Sequence, residues 1–334
     1  MIPRLPSYSL VAVCDKQPDK AKACLDKNQI TGVPAYTDLA DMLHREPIDV
    51  VHVCTPSGDH HDPVVACLEA GRHVICEKPL EIRLDRIDHM AEVSRRTGSR
   101  LAGIFQNRWA DANRAIKEAA DEGRFGRFAW AGCFTPWYRP DKYYEDGGWR
   151  GTWRLDGGGA IMNQSVHAID LLQWIVGPVK SVSAYAASRI HAKIEVEDTL
   201  SAALQFENGA FGTIMGTTAM FPGMPARIEV GGENGTAVSE NGLKFYKFRD
   251  ERPTDAETQT RLAQGRTKSA GGAGSADIGL DLHARNILHI LDAWENDRDA
   301  ETNATEARKA VAIILAMYES ARQGGAAIPV ASAP

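Results

Sequence analysis

The chain has 334 residues, 43% of them hydrophobic and 25% charged, with a formal net charge of −6. These proportions fit a globular chain of about two domains and exclude a disordered, collagenous or coiled-coil protein. The acidic balance excludes the basic footprint of a nucleic-acid binder. No apolar run approaches the ~18–20 residues of a membrane-spanning helix; the longest is residues 310–317.

The six cysteines (Cys14, Cys24, Cys54, Cys67, Cys76 and Cys133) form no C-x-x-C pair, and most fall in apolar segments. They read as small buried hydrophobes in a reducing compartment. Residues 1–9 lack the apolar centre of a secretory signal, so a cytoplasmic protein is expected.

In chain order, residues 10–14 (LVAVC) read as a buried parallel strand, 18–27 as a helix with Pro18 near its start, and 38–43 as a short helix. Strands at 48–54, 73–76 and 101–105 alternate with helices at 60–69 and 84–96, which close at Gly71 and Gly98. That alternation predicts a parallel sheet covered by helices on both faces. A helix at 112–122, a loop-rich stretch at 135–159 and a helix at 160–176 follow. Strands at 179–187, 199–206, 210–217, 227–231, 235–239 and 243–246 then succeed one another without long helices. Asn208-Gly209 between two of them is a hairpin signal, so this sheet should be mostly antiparallel. The polar residues 249–279, with a Gly/Ser/Ala run at 269–276, read as a loop, and helices at 283–295 and 305–323 close the chain. Two domains result: an incomplete dinucleotide-binding domain at 1–106, and a substrate-binding and oligomerisation domain at 107–334.

Ligands of open α/β sheets bind outside the carboxyl ends of the strands. Asp15 ends the first strand, where an acid can accept from a ribose diol; capping the next helix is the alternative role. Thr55-Pro56, with His60 beyond, follows the second strand, and Glu77-Lys78-Pro79 follows the third. A desolvated Lys78 in that crevice suits proton transfer or alkoxide stabilisation. His60-His61-Asp62 point apart on a helix and make poor joint ligands, so no metal is expected. Neither a P-loop nor a G-x-S-x-G elbow is present.

VCTPSGDHH, AGRHVICEKPL, FQNRW, GGGAIMNQSVHAIDLLQW and MYESARQGG together resemble the glucose–fructose oxidoreductase / inositol dehydrogenase / MocA (Gfo/Idh/MocA) family. The resemblance implies a Rossmann-type domain followed by an α+β domain with an open, mostly antiparallel sheet. It implies hydride transfer between NAD(P) and a sugar, cyclitol or sugar derivative. It also implies a homo-oligomer, dimer or tetramer, built through that sheet. Lys78 of E-K-P and His167 of the triple-glycine helix then take the catalytic roles. Many members carry Asp where Asn163 stands here. Asn163 and His167 are four residues apart and share a helix face, but an amide cannot titrate. Proton transfer therefore falls to His167 and Lys78, with Asn163 orienting groups. Expected cofactor contacts are Asp15, Thr55, Pro56, His60, Glu77, Lys78 and Asn107. Asp15 favours NAD over NADP, against the charge of Lys16 beside it.

Residues 130–153 hold four of the seven tryptophans, interleaved with arginines. Such a stretch suits a sugar with polar or anionic groups, although core or oligomer contacts are equally open. Tyr144, Trp149 and Arg150 are candidate substrate contacts from this stretch. Arg108, Asn163 and His167 are candidates from the other motifs.

The N-terminus departs from the family pattern. The first Rossmann strand and its G-x-G-x-x-G turn should lie ~20 residues before the acid. Only 14 residues precede Asp15, and the first glycine is Gly32. The chain reads as N-terminally truncated, its parallel sheet lacking the first strand and glycine turn and the 10–14 strand left with an open edge. Two alternatives to a dehydrogenase stay open: an NAD-dependent glycosidase of similar fold, and a non-catalytic chain without the phosphate-binding turn.

Overall fold

A computed structural model describes residue 5 and residues 8–145, 148–264 and 280–334. Among these, the first third forms two parallel sheets. Strands β1 (Val13–Cys14) and β2 (Ala35–Tyr36) pair with each other. Strands β3 (Val50–Val53), β4 (His73–Cys76) and β5 (Leu101–Gly103) pair in that order. No ladder joins β1 to β3 among the described residues. The strand expected at 10–14 thus pairs over two residues only, and no other described strand pairs with it. Helices α1 (Pro18–Lys27), α2 (Leu39–Arg45), α3 (His61–Glu69) and α4 (Leu84–Thr97) connect these strands. Val74, Ile75 and Cys76 of β4 are at most 1% exposed. A strand covered on both faces has to be apolar throughout.

After α5 (Asp111–Asp121) the chain enters β6 (Phe128–Pro136), the short helix α6 (Asp141–Glu145) and α7 (Val166–Val176). Next come β7 (Val179–Ala187), β8 (Thr199–Phe206), β9 (Phe211–Thr217), β10 (Arg227–Gly232), β11 (Gly235–Glu240) and β12 (Leu243–Phe248). With β13 (Ile328–Pro329) they form one eight-stranded sheet, ordered β12-β11-β10-β6-β9-β8-β7-β13. Every pairing is antiparallel except β6 with β9. The Asn208-Gly209 hairpin joins β8 to β9, with Gly209 at φ +91°. Leu200, Ala202, Leu204 and Phe206 alternate inward along β8, whereas Tyr185 and Phe211 on the open face are 70% and 62% exposed.

Three local expectations fail. Strand β6, a central strand, lies where no strand was read, between the helix at 112–122 and the loop-rich stretch from 135. Its middle residues Ala131, Gly132 and Cys133 are too small to mark a hydrophobic period, and its position comes from pairing with β9 and β10. The polar stretch after 249 contains α8 (Pro253–Leu262), opened by Pro253 and fastened by Asp255, which accepts both Arg124 Nη groups at 2.7 Å. The Gly/Ser/Ala run at 269–276 lies outside the described residues. The single helix expected at 160–176 is broken: residues 160–165 wind as a π-helix before α7.

The closing helices α9 (Leu280–Glu295) and α10 (Ala304–Arg322) return to the first domain. Ile287 and Ile290 of α9 share a buried cluster with Ile75, Ala102 and Ile104. Helix α10 packs on α4 and β5 on one side and on α7 and β7 on the other. The two halves of the chain are therefore joined through two apolar clusters, with the candidate site at their junction.

Candidate active site

The turn after β4 places Lys78 against the second domain. Its ammonium donates to the main-chain carbonyl of Asn163 at 2.8 Å. Burial lowers the Lys78 pKa from its ordinary value; Glu77 and Asp156 oppose this, while Arg150 and Arg139 reinforce it. His60 holds the turn in place from beneath. Its ring lies 2.9 Å from Thr55 O through Nε2 and 3.0 Å from Pro79 O through Nδ1, so it ties the ends of β3 and β4 together.

The Gly157-Gly158-Gly159 turn brings the other half of the site in. A Cβ on Gly158 would fall 2.0 Å from Tyr318 Oη, and one on Gly159 would fall 1.9 Å from Glu197 O. Only glycine permits that approach. The buried Glu197 carboxylate accepts from Gly159 N at 3.0 Å, Ile161 N at 2.9 Å and Tyr318 Oη at 2.9 Å. Burial pushes its pKa up to about 7 against those hydrogen bonds.

Beyond this brace, Asn163 donates to Asp156 Oδ1 at 2.5 Å and accepts from Gln164 Nε2 at 3.0 Å. Asp156 also accepts from Gly151 N at 2.8 Å, and burial raises its carboxyl to about 6. Asn163 thus meets Lys78 through its backbone and Asp156 through its amide. His167 is buried, its Nε2 3.3 Å from Gln106 Nε2, its Nδ1 without a partner and its ring edge-on to Phe105. Burial, with Lys78 and His283 adding charge repulsion, holds its pKa well below the ordinary value. The ring is neutral at pH 7 and able to accept a proton. Gln106 Oε1 is also unpartnered. A half-turn of that amide lets Nε2–H donate to Oε1 and leaves the Nδ1 lone pair free.

A cleft of about 2500 Å³ runs along the ends of β1 and β3. Asp15, Thr55, Pro56, Glu77, Trp149 and Arg150 line it. Residues 2–105 match the oxidoreductase family with an NAD-binding Rossmann fold, and residues 113–238 match the GFO/IDH/MocA C-terminal domain. The WlbA dehydrogenase from Bordetella pertussis, solved with NADH and UDP-GlcNAcA, is 33% identical with a TM-score of 0.84, covering 97% of this chain and 91% of that one. The chain belongs to the Gfo/Idh/MocA family.

Other members of the family lie nearby. The WlbA dehydrogenase from Chromobacterium violaceum, also solved with NADH and UDP-GlcNAcA, is 32% identical, with a TM-score of 0.85 and coverage of 97% and 89%. The myo-inositol 2-dehydrogenase of Thermotoga maritima is 28% identical over 238 residues, 70% of this chain and 68% of that one. Like them, this chain is an NAD-dependent oxidoreductase. No described helix is long and apolar enough to cross a membrane.

The residues fit NAD at both ends of the cleft. Asp15 ends β1 with one carboxylate oxygen on Gln17 N at 2.8 Å and the other available to a ribose diol. Glu77 lines the opposite end, and Lys78 follows it in the turn. Between them this sequence has no G-x-G-x-x-G turn to cradle a pyrophosphate.

Several expected contacts stand elsewhere. Arg108 is 1% exposed and its guanidinium grips Asp170 at 2.7 and 2.6 Å, below the Trp174 ring. It locks α7 to the turn after β5 and does not reach the cleft. His60 acts through backbone carbonyls, as described above. Asn107 offers its carbonyl to Asn113 Nδ2 at 2.8 Å and does not line the cleft. The Tyr144 hydroxyl pairs with Thr218 Oγ1 at 2.8 Å, and its ring rests near His191. Each of these was drawn from its place in sequence near a strand end or an aromatic-rich stretch; for Arg108 and Tyr144 a partner distant in sequence holds the side chain instead. Asp156, Gln106, Glu197 and Tyr318 were missed. Only Asp156, immediately before the triple glycine, had a local signal.

Proposed function

We propose that this protein oxidises a secondary hydroxyl of a sugar, cyclitol or sugar derivative. The observation that carries this reading is a neutral, buried His167 across the Asn163 turn from a half-buried Lys78. The substrate hydroxyl gives its proton to His167, whose free nitrogen Gln106 selects. The Lys78 ammonium stabilises the alkoxide as the C–O bond becomes a carbonyl and the carbon-bound hydrogen leaves with its electron pair. When bound, NAD supplies the acceptor for that hydride. Asp156 holds Asn163 so that its carbonyl fixes the Lys78 ammonium. Trp149 and Arg150 form the substrate wall of the cleft.

The two WlbA structures, with a sugar nucleotide and NADH, support a carbohydrate substrate. The open face of the eight-stranded sheet, with Tyr185 and Phe211 exposed, supports a homo-oligomer. The cysteines are unpaired as thiols, which supports a reducing, cytoplasmic setting.

The test is steady-state NADH formation against a panel of free and nucleotide-linked sugars. Lys78→Met and His167→Asn should each lower kcat by ~10²-fold or more while NADH affinity stays within a small factor. Wild-type turnover by Lys78→Met would overturn the assignment.

A further inference from the structure

Oxidation of a hydroxyl leaves a proton inside the protein. The O–H bond breaks to His167, while the carbon-bound hydrogen departs with its electron pair to NAD. Each turnover therefore leaves one proton on a ring that is 9% exposed. That proton has to reach solvent before the next hydroxyl can react.

Four buried polar atoms without a partner among the described residues belong to side chains around this ring: His167 Nδ1, Gln106 Oε1, Asn286 Nδ2 and His283 Nδ1. Direct contacts tie these side chains together. The Gln106 amide meets His167 Nε2 at 3.3 Å. Phe105, the residue before it, stands edge-on to the His167 ring and donates its backbone N–H to Asn286 Oδ1 at 2.9 Å. Asn286 is wholly buried on α9, which packs on the turn at Gln106–Trp109. His283 lies three residues earlier on the same face of α9, is half-buried and lines the cleft. Buried polar atoms that meet no protein partner are satisfied by ordered water where the lining is polar.

The local charges favour outward movement of a proton. Lys78 disfavours the charged form of both histidines, whereas Glu77 favours that of His283 and does not act on His167. His167 is also the more deeply buried of the two. Glu77 and Lys78 from the turn after β4 and His167 from α7 are the charged or titratable groups facing His283. On its own helix Asp281 and Arg285 pair with each other.

We propose that His283 is the outer station of a water-mediated proton path from His167 to the cleft, with Gln106 and Asn286 holding the water. Once the ketone has left, the Nδ1 proton of His167 passes to that water. A proton of the water passes to His283 Nδ1, and His283 releases one to the cleft. His167 is neutral again and no bond to carbon changes. His283 touches no reacting atom and acts only through the water. The path rests on the dehydrogenase reading above, so path and chemistry are measured separately.

The first readout is solvent exchange of the His167 ring N–H in the full chain, by NMR with isotope-labelled histidine and with neither substrate nor cofactor. Exchange requires one proton to reach the ring and another to leave it. His283→Gln should slow it by about 10²-fold, the low end of what a positioned proton-transfer group supplies. A variant that merely loosened α9 would open the site and speed exchange, so the sign separates a lost path from a folding defect. Leu288→Gln, on the exposed side of α9, should leave exchange unchanged. The second readout is NADH formation from myo-inositol, D-glucose and UDP-N-acetylglucosamine. His283→Gln should lower kcat with KM unchanged and enlarge the solvent deuterium isotope effect. Imidazole added to the solvent should restore both exchange and kcat.

Unchanged or faster exchange in His283→Gln would overturn the path. So would a rise in the KM for NAD with exchange unaffected, which makes His283 a cofactor contact. Slower exchange with no NADH from any of the sugars leaves the path standing and removes the dehydrogenase reading. NADH formation with wild-type kcat and exchange in His283→Gln does the reverse.

Discussion

The Lys78 ammonium meets the carbonyl of Asn163 at 2.8 Å, a contact that crosses 85 residues of sequence and the boundary between the domains. It depends on the triple-glycine turn, because Asn163 sits in the π-helix that this turn launches. Gly159→Ala would drive its Cβ against the Glu197 backbone and push that segment away. Stability should fall by several kcal/mol, as for other overpacked buried sites (~1–3 kcal/mol or more), and kcat should fall with it. Gly123→Ala is the control: its φ is +70° but its Cβ position is open, so a loss of only about 1 kcal/mol is expected. Thermal melts of the two variants decide between a packing requirement and a purely conformational one.

Arg108 and Asp170 form a buried ion pair, each 1% exposed. Removing one partner strands the other charge. Arg108→Met should therefore cost about 3–5 kcal/mol, and Arg108→Met combined with Asp170→Leu should recover much of the loss. Urea denaturation measures both. If Arg108 touched substrate, the double variant would stay stable yet lose substrate affinity; an unchanged KM is the expected outcome.

Glu197 offers a pH signature. Its folded pKa, raised to about 7, lies above the ordinary glutamate value of 4.5. The native state then holds its proton more tightly than the unfolded chain does. This contribution is complete below pH 4.5 and is lost as pH rises through 7. The difference corresponds to about 3 kcal/mol. Asp156, raised to about 6 from 3.8, acts in the same direction over a lower window. Glu197→Gln should flatten the decline of stability between pH 4.5 and 7. A profile as steep as wild type would show that Glu197 does not titrate there.

Asp15 should decide between the dinucleotides. Asp15→Ala removes an acceptor for a ribose diol and the repulsion of a 2′-phosphate. NADH should bind about tenfold more weakly, the scale of one hydrogen bond to a charged group, while NADPH binding holds or improves. Equal weakening of both would assign Asp15 to capping the turn through Gln17 N alone.

Much of this protein was legible locally. Val74, Ile75 and Cys76 announce a strand buried on both faces, and Glu77-Lys78-Pro79 directly behind them marks the strand end where ligands gather. The Asn208-Gly209 hairpin and the inward alternation of β8 needed no more than their own residues. In each case hydrophobic period or turn chemistry is a property of adjacent residues. Arg108 and Arg150 show where that stops. Each is an arginine near a tryptophan, yet one is consumed by Asp170, 62 residues away, and the other faces the cleft. Strand β6 likewise has no period of its own and becomes a central strand only by pairing with β9 and β10. The sequence by itself determined the strand and helix alternation, the family and the positions of Lys78 and His167. The tertiary structure alone decided which charges are paired and which are free, because a counter-ion is chosen by proximity in space and carries no mark in the neighbouring residues.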